Sequence, residues 1–291
     1  MRLGIHTFTA GSLERAALKA VELGANTFQI FSASPRMWRA RGADPHQVRL
    51  LRSVRERHDL RPLAIHVNYL VNLASLDPEI RSKSIACFRG EVERAVAIGA
   101  EYLVVHPGSY RNQSMEEGIA AFVLGLRDAT HGLSARGLTI LLENTAGAGS
   151  HLGSRFEELQ SLRELAVDLT DIPVGFCLDT CHLYAAGFDI ATAPGLREMV
   201  RAAGELLGLS HIHLFHANDS RAALGSHIDR HEHIGHGHIG LDGFRRLLRH
   251  PKLRSKPFIL ETPITKEGDD RRNLDTLKAL AASGRTTAPH L

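Results

Sequence analysis

Short apolar runs alternate with longer amphipathic stretches along this chain, and most of the apolar runs end on a histidine or an acid. The runs are LGIH (3–6), TFQIF (27–31), LAIH (63–66), YLVVH (102–106), TILLE (139–143), VGFCLD (174–179), IHLFH (212–216) and FILE (258–261). Each has the length and apolar content of a buried strand. Their last residues fall at 6, 31, 66, 106, 143, 179, 216 and 261, so they recur every 25 to 45 residues. That is the beat of repeated strand–helix units. The intervening SLERAALKAVELG (12–24) and SIACFRGEVERAVAIG (84–99) place apolar residues on one face and stop at Gly24 and Gly99. A third segment, 114–137, is read as helical up to Gly137.

Eight such units in one chain predict an α/β fold, a closed (β/α)8 TIM barrel. An open doubly wound sheet is the alternative, but GIHTFTAG after the first run is a poor match to a phosphate-binding glycine turn. No Pro-rich linker or composition break divides the chain, so residues 1–291 read as a single domain. The barrel is expected over about residues 2–280, with a frayed tail from about 283.

Composition adds three constraints. Aromatics make up 5% of the chain, so the core is expected to lean on Leu, Ile, Val and Ala. The net charge of +3 permits an anionic partner such as nucleic acid without demanding one. Cys87, Cys177 and Cys181 are too few and odd in number for a disulfide framework, which fits a reducing cytoplasm. No secretory leader opens the chain, and no apolar run is long enough to span a bilayer. A cytoplasmic protein with no membrane association is therefore expected, and nothing in the chain implies an obligate protein partner.

Eighteen histidines are the compositional outlier. Nine metal-ligand side chains stand at strand ends or in the loops after them: His66, His106, Glu143, Asp179, His182, His216, Asp229, His231 and Glu261. A lone strand-end histidine is usually a hydrogen-bonded core residue, and a lone acid often caps the next helix. Nine on one rim are harder to explain that way, because buried like charges need cations to neutralise them. In a barrel these ends share the face where chemistry sits. His66, His106 and Glu143 can share one divalent ion, and Asp179, His216 and Glu261 a second. Glu143 stands between the two sets, where its two oxygens can bridge. His182, Asp229 and His231 can hold a third. Thiolate ligation by Cys177 or Cys181 is disfavoured, because the other ligands are imidazole and carboxylate.

The strings IHVNYLVNLAS, VVHPGS, LLENTAG, CLDTCHLYAAGFD, HANDS, IDRHEHIGHGHIG and FILETP resemble the endonuclease IV family of apurinic/apyrimidinic endonucleases, xylose isomerase-like TIM barrels, over nearly the whole chain. The resemblance implies a trinuclear zinc cluster on the nine residues named, manganese being an alternative at one site. It implies double-stranded DNA with abasic sites as substrate. The phosphodiester 5′ to the lesion would be hydrolysed by in-line attack of metal-bound hydroxide, leaving a 3′-hydroxyl. Glu143 and Glu261 would be the catalytic carboxylates. Arg36, Tyr69 and Leu70, on the loops after the second and third strands, match the family's DNA-inserting positions, whereas Ser34 and Met37 depart from polar amides found there. Arg39 and Arg41 are further candidates for phosphate contact, Trp38 reads as core, and His233, His236 and His238 read as supporting or phosphate-contacting residues. The alternative is a metal-dependent sugar isomerase or epimerase of the same superfamily. Such enzymes typically need a Lys or paired Glu near the sugar and no third metal group, and no Lys ends a strand here. A non-catalytic binding module would not need ligands on strands three to eight.

Overall fold

The alternation of apolar run and amphipathic segment closes into a ring. A computed structural model of the chain describes residues 1–282. In chain order the elements are β1 (Leu3–His6), α1 (Leu13–Leu23), β2 (Thr27–Phe31), α2 (Pro45–Arg57), β3 (Leu63–His66), α3 (Pro78–Ile98), β4 (Tyr102–Val105), α4 (Met115–Thr130) and β5 (Thr139–Glu143). There follow α5 (Phe156–Val167), β6 (Val174–Asp179), α6 (Thr180–Ala185), α7 (Ala193–Ala202), β7 (Ile212–His216), α8 (Gly240–Arg249), β8 (Phe258–Leu260) and α9 (Asp269–Ala282). The eight strands are all parallel, and β1 pairs with both β2 and β8, so the sheet is a closed TIM barrel. An antiparallel ribbon, Asp219–Ser220 against His231–Glu232, projects from the loop between β7 and α8. The tail expected to fray from about 283 lies outside the described residues. Among the described residues, no helix is long and apolar enough to cross a membrane.

Local signals set the helix limits. Ser12 caps α1 by accepting from Arg15 N at 3.1 Å, and Gly24 ends it with φ 81°, a left-handed conformation that costs glycine nothing. The third helix begins at Pro78, six residues before the expected Ser84, because the Asp77 carboxylate accepts from Glu79 N and Ile80 N. The fourth ends at Thr130 and does not continue to Gly137. Thr130 Oγ1 donates back to the Leu126 carbonyl at 2.9 Å, and Gly132 turns the chain out with φ 72°.

Two cores result. Between strands and helices lies a large apolar layer. Eight of the eleven phenylalanines are fully buried there (28, 88, 122, 156, 176, 215, 244 and 258), so the core draws on aromatics more than their scarcity suggested. Inside the ring a smaller plug joins Ala64, Val104, Leu141, Cys177, Leu214 and Ile259. Side chains on a strand alternate faces, so the residue two positions further on points to the same interior. Those residues are His66, His106, Glu143, Asp179, His216 and Glu261. The ligand layer is therefore the next pleat above the plug, at the carboxyl ends of the strands.

Candidate metal centre

Glu143, at the end of β5 and 1% exposed, is the hub of this layer. Its Oε2 lies 3.1 Å from His66 Nε2 and 3.6 Å from His106 Nε2. Its Oε1 lies 3.0 Å from His216 Nδ1 and 3.4 Å from His182 Nδ1. The two oxygens thus face different histidine sets, as a bridging carboxylate requires. Among the described residues four groups have donor atoms within 4.8 Å of one another, and three of them are made of imidazole and carboxylate alone: His66 with His106 and Glu143; Glu143 with Asp179, His216 and Glu261; and His182 with Asp229 and His231. All nine residues expected from the sequence come together, in the groupings expected.

The third group is not carried on the strands alone. His182 sits on α6, whose N-terminus is capped by Asp179 Oδ1 accepting from His182 N at 2.9 Å. Asp229 and His231 come from the ribbon loop, with His231 Nε2 3.3 Å from Asp229 Oδ1 and His182 Nε2 3.2 Å from Asp229 Oδ2. Asp219, buried beneath that loop, accepts from the backbone N–H groups of Ser220, Gly235, Gly237, Ile239 and Gly240. One carboxylate therefore shapes the segment that presents two ligands.

Three imidazoles have their tautomers set by backbone carbonyls. His66 Nδ1 faces Val67 O at 2.7 Å, His182 Nδ1 faces Asn144 O at 2.9 Å and His231 Nδ1 faces Glu261 O at 3.1 Å. Since a carbonyl only accepts, each Nδ1 carries a proton, which makes Nε2 the ring nitrogen available to a cation. His231 Nε2 is buried and has no hydrogen-bond partner, the state of a ligand atom made for a cation.

The electrostatics agree. Burial alone would raise the Glu143 carboxyl, but the imidazoles of His106, His216 and His182 around it hold it well below the usual carboxylate range. Asp229, also resisted by burial, is brought down to about 2 by His182 and His231. Burial pushes Asp179 up and takes His106 down to about 4. Glu143 and Asp179 are buried, Glu261 is mostly enclosed and Asp229 stands exposed at the edge. Carboxylates gathered this closely need positive charge, and oxygen and imidazole donors in these groups suit zinc. The residues therefore fit divalent ions. Cys181 is also within 4.8 Å of Asp179 and His231, and burial drives its thiol up to about 12.

Residues that the sequence reading passes over hold the ligands in place. Asn218 Nδ2 donates to Asp179 Oδ2 at 2.6 Å while its Oδ1 accepts from Glu261 N at 2.8 Å. Asn144 Oδ1 accepts from Asp179 N at 2.6 Å. Gln29, on β2, bonds to Glu261 and His216. Asn144 and Asn218 are visible in the sequence as polar residues closely following strands, and Gln29 as a polar residue inside an apolar run.

The rim around the layer is open. Tyr69 is 69% exposed, with its ring edge-on to Phe31 at 5.3 Å and 6.3 Å from His66. It stands between a cavity of about 390 Å³ over the ligand layer and a neighbouring one of about 660 Å³ that reaches Arg111. Leu70 is half-buried beside it, Arg36 and Met37 are exposed, and Trp38 packs on the core. Asn68 ties the two rim loops together: its Nδ2 donates to Met37 O at 3.1 Å and its Oδ1 accepts from Leu70 N at 3.0 Å. His233 lies apart from the three groups, with Nδ1 2.9 Å from Asn273 Nδ2 and Nε2 3.8 Å from Asp269. His236 meets His233 edge-on, and His238 stacks on Tyr184.

Comparison with known proteins bears on this geometry. Residues 17–282 match the family described as xylose isomerase-like TIM barrel. Over 97% of its length the chain is 71% identical to a protein of Solibacter usitatus named probable endonuclease 4, covering 98% of it. It is 41% identical to an endonuclease 4 of Thermus thermophilus, over 96% of this chain and 97% of that one. A crystal structure of endonuclease IV from another strain of Thermus thermophilus superposes with a TM-score of 0.84 at 40% identity, covering 96% of this chain and 98% of the other. A D-tagatose 3-epimerase-like protein shares the fold, with a TM-score of 0.70 at 21% identity over 96% and 97% of the two chains.

Proposed function

Because the chain belongs to the endonuclease IV family of xylose isomerase-like TIM barrels, we propose that it is a metal-dependent endodeoxyribonuclease that cuts duplex DNA at abasic sites. It hydrolyses the phosphodiester 5′ to the lesion and leaves a 3′-hydroxyl. The observation that carries this reading is the sharing of Glu143 between two donor groups, with a third group alongside at the same barrel mouth. His66, His106 and Glu143 would hold one zinc ion; Glu143, Asp179, His216 and Glu261 a second; His182, Asp229 and His231 a third. Three divalent cations would set six positive charges against four carboxylates, leaving net positive charge for a phosphodiester.

Zinc bound there would supply Lewis-acid charge to the phosphoryl oxygens and make water available as a nucleophile near neutral pH. The chain's own groups do the rest. Glu143 holds an oxygen toward each of two histidine sets, which fixes where a water between them can stand. Glu261 closes the second group on the side of His6 and Gln29. Tyr69, ring edge against Phe31, stands as a wedge at the mouth, where an abasic nucleotide has no base stacking to lose on leaving the helix. Leu70 follows it on the same loop, and Arg36, on the loop that Asn68 ties alongside, is exposed for a backbone phosphate. Asn68 keeps the two loops in register.

The sugar isomerase or epimerase reading is set aside. The high-identity relatives are endonucleases, and the epimerase-like likeness is one of fold. The test is metal content measured together with incision of a synthetic abasic duplex and end analysis of the product. Close to three zinc ions per chain and a 3′-hydroxyl end are expected. One metal per chain with no incision would overturn the proposal.

A further inference from the structure

Gln29 lies inside the barrel on β2, fully buried, where the neighbouring plug positions are apolar. Its Nε2 is 2.6 Å from Glu261 Oε1 and 3.0 Å from His6 Nδ1, and its Oε1 is 2.9 Å from His216 Nε2. A carboxylate oxygen only accepts, so the amide group facing Glu261 must be the NH2. That fixes which way the amide points, and its carbonyl then faces His216. A carbonyl also only accepts, so His216 Nε2 carries a proton, and Nδ1 is the ring nitrogen left for a metal ion. Nδ1 is the nitrogen that faces Glu143 Oε1 at 3.0 Å and Glu261 Oε2 at 3.2 Å. The same amide holds Glu261 by Oε1 and leaves Oε2 turned toward that nitrogen.

His216 therefore differs from His66, His182 and His231. Those three are pinned at Nδ1 by backbone carbonyls, which no substitution removes, and present Nε2. His216 is pinned at Nε2 by a side chain and presents Nδ1. We propose that Gln29 is a positioning residue that selects the metal-binding tautomer of His216 and the orientation of Glu261 together. The inference rests on the reading that these two residues hold a metal ion.

Two variants separate the ties. Gln29→Met keeps an unbranched chain of similar length and removes both. Gln29→Glu keeps an acceptor for His216 and loses the donor to Glu261. Nitrogen-15 NMR of the zinc-loaded full-length protein reads directly which ring nitrogen of His216 is protonated. Wild type and Gln29→Glu are expected to show Nε2–H, and Gln29→Met to lose that single ring form. In competition with a graded chelator, Gln29→Met is expected to release one zinc ion about 10- to 100-fold more readily, the usual effect of removing a ligand's outer partner, with the other two unchanged. A wild-type His216 protonated on Nδ1 overturns the proposal by itself, whether or not Gln29→Met folds. So does a folded Gln29→Met that keeps both the Nε2–H signal and its zinc. If the wild type binds no zinc, the metal reading itself fails and takes this inference with it; with zinc bound, the ring form of His216 decides the role of Gln29.

Discussion

Asp219→Asn probes how the ribbon loop is held. Asp219 is fully buried, and its two oxygens divide five backbone donors between them. Oδ1 accepts from Ser220 N and Ile239 N, both at 2.9 Å; Oδ2 accepts from Gly235 N at 2.9 Å and Gly237 N at 3.1 Å; Gly240 N is shared at 3.4 and 3.3 Å. An amide has one acceptor oxygen and sets an NH2 where the other stood. Whichever way it turns, two N–H groups lose their acceptor and meet a donor. At about 1–3 kcal/mol for each buried donor left unpaired, the loss is about 2–6 kcal/mol, against a total stability of roughly 5–15 kcal/mol for a domain. Urea unfolding at fixed zinc, followed by circular dichroism and by the fluorescence of Trp38, is expected to show a lower midpoint with an unchanged slope. Zinc in the His182 group should be held less tightly in the same variant, since Asp229 and His231 ride on this loop. A loss below about 1 kcal/mol, within reach of an ordinary surface substitution, would refute the argument. Gly237→Ala attacks the same point by crowding. A Cβ there would stand 2.4 Å from Ser220 O and 2.6 Å from Asp219 Oδ1, and is expected to cost about 1–3 kcal/mol.

Other expectations concern the reaction. Glu261→Ala should abolish incision of an abasic duplex while leaving the circular dichroism spectrum intact; retained cutting would remove Glu261 from the site. Asn68→Ala should raise KM for that duplex by about fivefold, the worth of roughly one hydrogen bond, with zinc content unchanged. A lowered zinc content would place Asn68 in the metal layer instead. Incision under subsaturating DNA should fall steeply with added salt, and Arg36→Ala should flatten the logarithmic salt slope by about one. A salt-independent rate would argue against a phosphate backbone at the rim.

Much of the fold is legible because strand and ligand coincide in this chain. A buried parallel strand is a short apolar run, and here each run from β3 to β8 closes on, or one residue before, a residue whose type breaks the apolar pattern. That one feature marks both the element and the chemistry, so His66, Glu143 and Asp179 can be read along with the strands that carry them. Helix limits are less legible. The α3 start is hidden because apolar periodicity leads back only to Ser84, although Asp77–Pro78 carries an ordinary capping signal. The α4 end is misplaced because two glycines compete as the stop, and the nearer one, Gly132, is where the chain turns. The outer partners of the ligands are not legible as partners at all. Asn218 joins Asp179 to Glu261 across 39 and 43 residues of sequence, and no local pattern carries such a distance. Gln29 does leave a trace, an amide in the middle of TFQIF, whose meaning requires knowing what stands across the barrel.

The apolar plug has an architectural consequence. Six of the nine donors stand one pleat above it, each on the same strand as a plug residue, so the spans between them are inherited from strand separation and stagger. Loops at the mouth can lengthen, shorten or change composition without stretching that frame. A graft of the same six residues onto a flexible scaffold would lose it. Conversely, enlarging Ala64 or Val104 would tilt the platform from below, and would disturb a centre whose own residues had all been left untouched.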